Sequence, residues 1–462
     1  MTADASIMTA GQIAASVPRA LPQPGETALQ LARKAMEQTG QWHPLQTMGR
    51  HFPIGCVALE ITQRCNLDCS LCYLSDHSEA VKDMPLAEVF RRIDQIRAHY
   101  GPRTDVQITG GDPTLRKREE LVAIVAQVAA AGMRPALFTN GIKATPELLA
   151  ELCAAGLVDV AFHVDMTQQR RGYGSEAELN AVRMEYIQRC RGLPLSVLFN
   201  ATVFDGNRHE IAGVAAFFVC NAHAVRLASF QLQADAGRGA AGGSQSPITI
   251  DTVAASVSAG AGMPISFDTP VAGHASCNRY AMTLVANGRA HDLLDDKAVL
   301  AAVLDATAGV EFDRKRPARA VLALAGALAR RPRTAARIAP FMARKAWAMR
   351  RDLIAGGLKA HKLSFFIHDF MDSSCLDCDR VAACAFMVAT ADGPISMCLH
   401  NAKRDQFILQ PIWTGDGTGW WDPLTGRIAG QRQPGTVAHT RKTLKGRLKE
   451  AAMRVSAAPA DG

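Results

Sequence analysis

Between residues 56 and 233, six short apolar runs rich in β-branched side chains recur, and longer helical patterns separate them. The runs are CVALEIT (56–62), DVQIT (105–109), PALFTN (135–140), DVAFHVD (159–165), LSVLFNATV (195–203) and VRLASFQLQ (225–233). Helical candidates lie near 86–99, 118–131, 145–155, 176–190 and 208–221. Strands joined through helices pair side by side in parallel, because only a crossover of a dozen or so residues brings the chain back in the same direction. The rhythm predicts an α/β fold: a partial (β/α)6 TIM-like barrel, followed by a C-terminal Cys-rich region and a basic helical insertion. Polar residues gather where the runs end, at Thr109, Thr139, Asn140, His163, Asp165, Asn200 and Gln231. In a βα barrel that rim is where chemistry is assembled.

The remaining chain divides by composition. Residues 1–50 read as a partly ordered lead-in, 51–240 as the barrel core, and 241–312 as a linker with a Cys277-bearing segment. Residues 313–365 read as basic amphipathic helices, 366–412 as a Cys-rich auxiliary metal region, and 413–462 as a tail. No apolar run approaches the roughly 20 residues of a membrane span; AVLALAGALA stops at 329. The start has neither a basic stretch nor a continuous apolar stretch of the secretory kind. A cytoplasmic setting is expected, and there the twelve cysteines favour metal over disulfides. Charge is uneven: residues 313–362 hold fourteen Lys and Arg against Asp313 and Asp352, so this segment alone exceeds the chain's net +8.

Directly after the first run comes RCNLDCSLCY (64–73), with Cys65, Cys69 and Cys72. Three thiolates can hold three corners of a [4Fe–4S] cluster and leave one iron open, as catalytic zinc sites leave one position open. A closed zinc knuckle, or three buried thiols, would use the same residues. The C-x3-C-x2-C spacing with a following aromatic resembles the radical S-adenosylmethionine (radical SAM) superfamily.

That resemblance implies a [4Fe–4S] cluster on Cys65, Cys69 and Cys72, whose open iron is chelated by the amino and carboxylate groups of S-adenosylmethionine. It implies that the Tyr73 backbone meets the adenine. TGGDPTLR (109–116) is similar to the family's Gly-Gly-Glu-Pro motif, so Gly110 and Gly111 are expected to present backbone to the methionine amino group, with Asp112 in place of the usual Glu. FTNGI (138–142), VDVAFHVD (158–165), NATV (200–203) and SFQLQADAGRG (229–239) fall at the following strand ends. Asn140, His163, Asp165, Asn200 and Gln231 are thereby expected near the cofactor. Turn capping is the competing role for Asp112 and Asn140, and a satisfied core position the competing role for His163.

Cys375, Cys378, Cys384 and Cys398 lie in CLDCDRVAACAFMVATADGPISMC, where ADGPISMC reads as a hairpin returning a thiol to the others. The stretch resembles the auxiliary-cluster modules of radical SAM enzymes, with Val388 where a further cysteine is usual, and implies a second [4Fe–4S] cluster; a structural zinc or no metal would also suit. Cys277, beside His274, is a further candidate ligand. Cys153, Cys190 and Cys220 read as buried packing residues and Cys56 as structural. With FFIHDFMD before these cysteines and ISMCLHNAKRD after them, the chain resembles the branch containing the archaeal tetraether lipid synthase, although it lacks a Cys pair before the barrel. The implied activity is reductive cleavage of S-adenosylmethionine and hydrogen abstraction from an unactivated C–H bond of a small molecule or lipid, with a reductant such as flavodoxin or ferredoxin. The alternatives are a peptide-modifying radical SAM enzyme, for which the first fifty residues read as too short for the usual leader-binding domain, a non-catalytic iron–sulfur electron carrier, and a zinc-dependent interaction protein. In the basic block, Ile338, Met342, Met349 and Leu353 fall on one helical face with Phe341 at its edge. Such a helix suits peripheral contact of residues 313–362 with the inner face of a membrane, or packing onto the barrel; few aromatics are interleaved, and no nucleic acid is expected.

Overall fold

Two short helices precede the repeat, α1 (Ala10–Ala15) and α2 (Ala28–Gln38), and each begins with a capping box, Thr9 with Gln12 and Thr27 with Gln30. The computed structural model describes residues 6–238, 248–268, 271–313, 316–414 and 417–432. The glycine-rich loop at 239–247 and the basic tail stretch TRKTLKGRLKEAAMR lie outside the described residues.

From residue 56 strands and helices alternate: β1 (Cys56–Thr62), α3 (Leu86–Tyr100), β2 (Asp105–Gly110), α4 (Arg118–Ala130), β3 (Arg134–Thr139), α5 (Pro146–Ala154), β4 (Asp159–His163), α6 (Glu176–Arg189), β5 (Ser196–Val203), α7 (Ile211–Cys220) and β6 (Val225–Leu232). Each strand pairs in parallel with the next, in sequence order. Helix starts are set locally: Thr145 accepts from the Leu148 amide with Pro146 in the first turn, and Ser175 accepts from Glu178. Alternate strand residues, such as Leu59, Ile61, Ile108, Phe162, Phe199 and Phe230, join one core with Val89, Ile93, Ile124 and Val125 of the helices. The period of two therefore turns Glu60, Thr62, Thr109, His163, Asn200 and Gln231 to the opposite face.

The remaining elements are α8 (Ile250–Ala261), β7 (Asn278–Ala286), β8 (Arg289–Asp292), α9 (Lys297–Thr307), α10 (Pro317–Ala329), α11 (Pro332–Ala355), β9 (His361–His368), α12 (Cys378–Ala382), β10 (Phe386–Thr390), β11 (Gly393–Ser396), α13 (Met397–Ala402) and α14 (Arg404–Ile408). They extend the six-strand sheet at both ends into the order β11-β10-β1-β2-β3-β4-β5-β6-β9-β7-β8. Both β10 against β1 and β9 against β6 are parallel pairings, so eight strands share one direction. The six expected strands hold their order, and two more come from stretches that break the helical period and escape a pattern search. The outer strands do not close the sheet by a ladder; they meet through rings instead. The Phe366 and Phe386 centroids lie 6.1 Å apart, and His368 packs edge-on to Phe386 at 4.7 Å.

The first segment fastens to the last. The Met8 amide donates to Leu376 O at 2.8 Å, and Arg19 N to Pro394 O at 2.8 Å. Lys403 Nζ donates to the carbonyls of Ala14 and Ser16 at 2.9 and 2.6 Å. In the basic block the buried face is rotated from the expected one. Ile338 and Phe341 pack with Val299, Val303 and Leu328, Met349 is buried as well, and Met342 is 56% exposed. The reason is that α9 and α10 cover the Phe341 side. Cys56 and Cys190 are buried and Cys153 half-buried, but Cys220 is exposed, because it ends α7 on the solvent side.

One ion pair is wholly enclosed at the rim. Arg183 of α6 pairs with Glu176, both side chains 0% exposed, and donates to Val164 O at 2.9 Å. Glu176 in turn accepts from the Met166 amide at 3.0 Å and from Asn207 Nδ2 at 2.7 Å. Removing one partner leaves a buried charge uncompensated. Arg183→Met is expected to destabilise the chain by about 3–5 kcal/mol in denaturant unfolding, and Arg183→Met combined with Glu176→Gln to recover much of that loss.

Candidate cofactor site

The loop after β1 carries Cys65, Cys69 and Cys72, all half-buried. Its middle is held by the Ser70 amide, which donates to Thr167 O at 2.8 Å. Asn140, just past β3, donates Nδ2 to Asn66 Oδ1 at 2.6 Å and lies 4.0 Å from Cys65 Sγ. The Tyr73 hydroxyl donates to Gly110 O. Beside this loop run the two glycines after β2. Gly110 has φ +128°, and a Cβ there would fall 1.9 Å from Thr62 O; one on Gly111 would fall 2.1 Å from Arg64 O. The Gly111 amide donates to Thr62 O at 2.9 Å and the Asp112 amide to Arg64 O at 2.8 Å. The glycine pair thus lets the end of β2 lie directly on the start of the cysteine loop. The Gly111 N–H is committed to that contact.

Asp112 takes the turn-capping role that the sequence left open for it. It is 0% exposed. One carboxylate oxygen accepts from Thr114 N at 3.0 Å, the other from Thr139 Oγ1 and Asn140 N, both at 2.8 Å. It caps its own turn and ties β2 to β3, the turn role winning because a shorter acid reaches the neighbouring backbone rather than the space beyond it. Asp165 behaves alike: fully buried, it accepts from the Thr167 amide at 2.9 Å, the Thr202 amide at 2.6 Å and His163 Nε2 at 2.6 Å. Burial would raise its carboxyl, but the His163 ring and these hydrogen bonds outweigh that and hold it at about 2. Burial would lower His163, but the Asp165 carboxylate overrides it and raises the imidazole above its ordinary value. Asn200 is buried opposite His163, and half-buried Gln231 sits between Thr202 and His368.

Among the described residues no three His, Cys, Asp or Glu side chains converge at metal-ligating spacing. The donor set nevertheless suits a thiolate-bound iron–sulfur cluster. Burial raises Cys69, and the Cys72 and Cys65 sulfurs crowd it further, a repulsion that a shared cationic centre would relieve. The C-terminal cysteines divide. Burial and the neighbouring Cys384 raise Cys398 to about 12, with Cys277 acting in the same direction. Arg380 Nε donates to Cys277 Sγ at 3.2 Å. Cys375 and Cys378 are exposed, and the groups acting on Cys378 are Asp379 and Asp377 rather than other thiols. Cys277, separated from Cys384 by more than a hundred residues, is thus near enough to act on Cys384 and Cys398, whereas Cys375 and Cys378 are exposed.

Residues 59–218 match the Radical SAM superfamily. The chain carries a radical SAM domain. Among its relatives is the 7,8-dihydro-6-hydroxymethylpterin dimethyltransferase of Methanocaldococcus jannaschii, 26% identical over 39% of this chain and 36% of that protein. The PqqA peptide cyclase of Xanthomonas euvesicatoria pv. vesicatoria is 32% identical over 35% of this chain and 43% of its own length. The GTP 3',8-cyclase of a Synechococcus species is 36% identical over 26% and 34%. The chain therefore spans well under half the length of these relatives. Among solved structures, Streptococcus suis SuiB bound to S-adenosylmethionine aligns with 42% of this chain and 44% of its own at 13% identity and a TM-score of 0.31.

Three functional candidates at the radical SAM domain lie outside the expected set. Arg238, at the end of the quoted SFQLQADAGRG, has a side chain 7% exposed beside Cys72, Asp68 and Glu79; its Nε and Nη2 have no hydrogen-bond partner. Arg404 pairs with Glu60 at 2.8 Å and lies 4.7 Å from the centroid of the Tyr73 ring. Burial would raise Glu60, yet Arg404 and His400 pull it down to about 2. His368 stacks between Phe366 at 4.1 Å and Phe370 at 5.5 Å; burial lowers it to about 3, so the ring is neutral. Arg238 was within reach of sequence reading, as a cation between two glycines six residues past a strand end. Arg404 and His368 were not, because only the fold brings the C-terminal region to β1 and β6.

The His163 and Asp165 pair predicts a pH dependence with a definite sign. A histidine raised in the folded state adds stability that is full below its ordinary value of about 6.5 and fades as pH climbs through the folded one. The melting temperature advantage of the parent over His163→Gln should therefore shrink as pH rises above about 6.5. A difference that stays constant over that range would show that the charged imidazole contributes nothing.

Proposed function

We propose that this chain is a radical SAM enzyme that takes a hydrogen atom from an unactivated C–H bond of an apolar, lipid-like substrate. The reading is carried by the cysteine loop being locked, through Gly110 and Gly111, onto the strand ends that face the barrel mouth. When bound, a [4Fe–4S] cluster supplies the electron that cleaves S-adenosylmethionine to methionine and a 5′-deoxyadenosyl radical. Cys65, Cys69 and Cys72 are its proposed ligands. Asn140 orients the loop through Asn66, and Asp112 holds Asn140 by its amide. His163, Asn200 and Gln231 line the polar side of the barrel, where they would meet the ribose and the methionine. Tyr73 offers its backbone at the same rim. The walls of the barrel exclude water from the reacting bond.

A second metal centre is proposed on Cys384, Cys398 and Cys277, with Cys375 or Cys378 the remaining candidates. The mutual crowding of the first three thiols supports it. Electrons would come from a small carrier of the flavodoxin or ferredoxin type. The lipid-like substrate is supported by the similarity to the tetraether lipid synthase branch. A peptide substrate is the second reading, favoured by the PqqA peptide cyclases and the mycofactocin maturase of Mycolicibacterium smegmatis among the relatives.

Anaerobically reconstituted protein, reduced with dithionite, should form 5′-deoxyadenosine, and Cys69→Ala should abolish it. Continued formation by the variant would remove this cluster from the chemistry, and none from the parent would leave an electron carrier. Lipid extract should stimulate the reaction; stimulation by peptide extract instead would select the second reading.

A further inference from the structure

Helix α11 carries two apolar faces, and only one is used by the fold. Ile338, Phe341 and Met349 point into the molecule. On the opposite side, Ala336, Ala343, Trp347 and Ile354 follow one another at intervals of seven, four and seven residues, which aligns them along a helix of 3.6 residues per turn. Trp347 is 68% exposed and Ile354 71%. Just past the helix end Leu358 is 77% exposed, and on the neighbouring α10 Val321 and Leu322 are 66% and 70% exposed. Isolated exposed apolar residues are ordinary, but an aligned ridge with a tryptophan marks a contact surface.

The charge beside the ridge says what the contact is. Arg337, Arg344 and Arg351 recur every seven residues along its flank, all exposed. Arg350 lies over the Trp347 ring at 3.7 Å. The described part of these two helices carries a single carboxylate, Asp352, which is turned inward to His291 Nε2 at 3.0 Å. Arg344 is the one flank residue with an acidic neighbour among the described ion pairs, Asp296 at 3.8 Å. No helix among the described residues is long and apolar enough to cross a membrane. A tryptophan between aliphatic side chains, edged by arginines, matches the interfacial zone of a bilayer, where the ring sits at headgroup level and the cations meet lipid phosphates. A nucleic acid would satisfy the arginines but leave Ile354 and Leu358 against water.

We propose that α10 and α11 form a docking platform that seats this protein flat on an anionic lipid surface. The inference goes beyond the catalytic reading and needs neither cluster nor cofactor, so the two fail separately. The test is co-sedimentation of the full chain with vesicles of phosphatidylcholine alone or mixed with phosphatidylglycerol. Binding is expected to the mixed vesicles, with little to phosphatidylcholine alone. Trp347→Ser combined with Ile354→Ser should weaken it about tenfold or more, with an unchanged unfolding midpoint because both side chains are exposed. Arg337→Gln with Arg351→Gln should weaken it too and flatten its dependence on salt. Unchanged binding by the Trp347 and Ile354 variant would overturn the proposal. So would full competition by short duplex DNA that binds the same variant as well as the parent, which would identify a polyanion site.

Discussion

The site depends on one backbone contact, the packing of Gly110 and Gly111 against Thr62 and Arg64. Parallel strands bring β1 and β2 side by side, but ordinary residues would hold the chain off by the width of a Cβ. The two glycines remove that obstacle, and the amides of Gly111 and Asp112 then close onto the carbonyls of Thr62 and Arg64. Everything that orients the cysteine loop follows from there. Gly110 O receives the Tyr73 hydroxyl, and Asp112, fixed by its own amide, reaches across to Thr139 and Asn140. Asn140 returns to the loop through Asn66. The circuit is short and ties backbone groups together through the side chains of Tyr73, Asp112, Asn140 and Asn66, the kind of preorganisation a cofactor site requires.

Around that circuit the rim is stiffened by enclosed carboxylates, and each is satisfied in a different way. Asp112 is met by amides and hydroxyls alone. Asp165 has amides and an imidazole, Glu176 a guanidinium and two further donors, and Glu60 the guanidinium of Arg404. A buried charge costs several kcal/mol unless its hydrogen-bonding capacity is filled; four such groups on one rim therefore confine the loops between them to one arrangement. The cost is recovered as fixed orientation rather than as net stability.

The parallel core was legible in the sequence because its strands are buried on both sides, and such runs stand out as continuous apolar stretches whatever their register. Of the flanking strands, β10 was legible only as an arm of the hairpin read in ADGPISMC, which β10 and β11 form, and β9 was not. HKLSFFIH follows two basic helices and FMVAT follows a cysteine segment, so neither sits in the βα rhythm. Residue identities at the site were legible, whereas roles were less so. Asp112 and Gly111 stand where the motif puts them, but their partners decide what they do, and those partners lie on other strands. The gathering of Cys277 with Cys384 and Cys398 follows from the pairing of β7 with β9, which no spacing rule anticipates. The basic helix misled for a related reason: both of its faces are apolar enough to bury, and periodicity cannot say which one α9 and α10 will cover.

The two ends of the chain matter to the centre because they share a lever. The segment before the barrel hydrogen-bonds to the segment that carries the C-terminal cysteines, at Met8, Arg19, Ala14 and Ser16. Four residues beyond the buried His400, α14 begins with Arg404, which reaches Glu60 and the Tyr73 ring. Arg404 is held by a charge on β1, so a shift of α13 and α14 moves a guanidinium against the aromatic that closes the cysteine loop. Cys398 sits in α13, one helix away from that guanidinium. Cys398 is thus joined to the loop of Cys65, Cys69 and Cys72 through α13, α14 and the contact of Arg404 with Tyr73. The C-terminal region accordingly acts as a wall of the site rather than as an appendage to it.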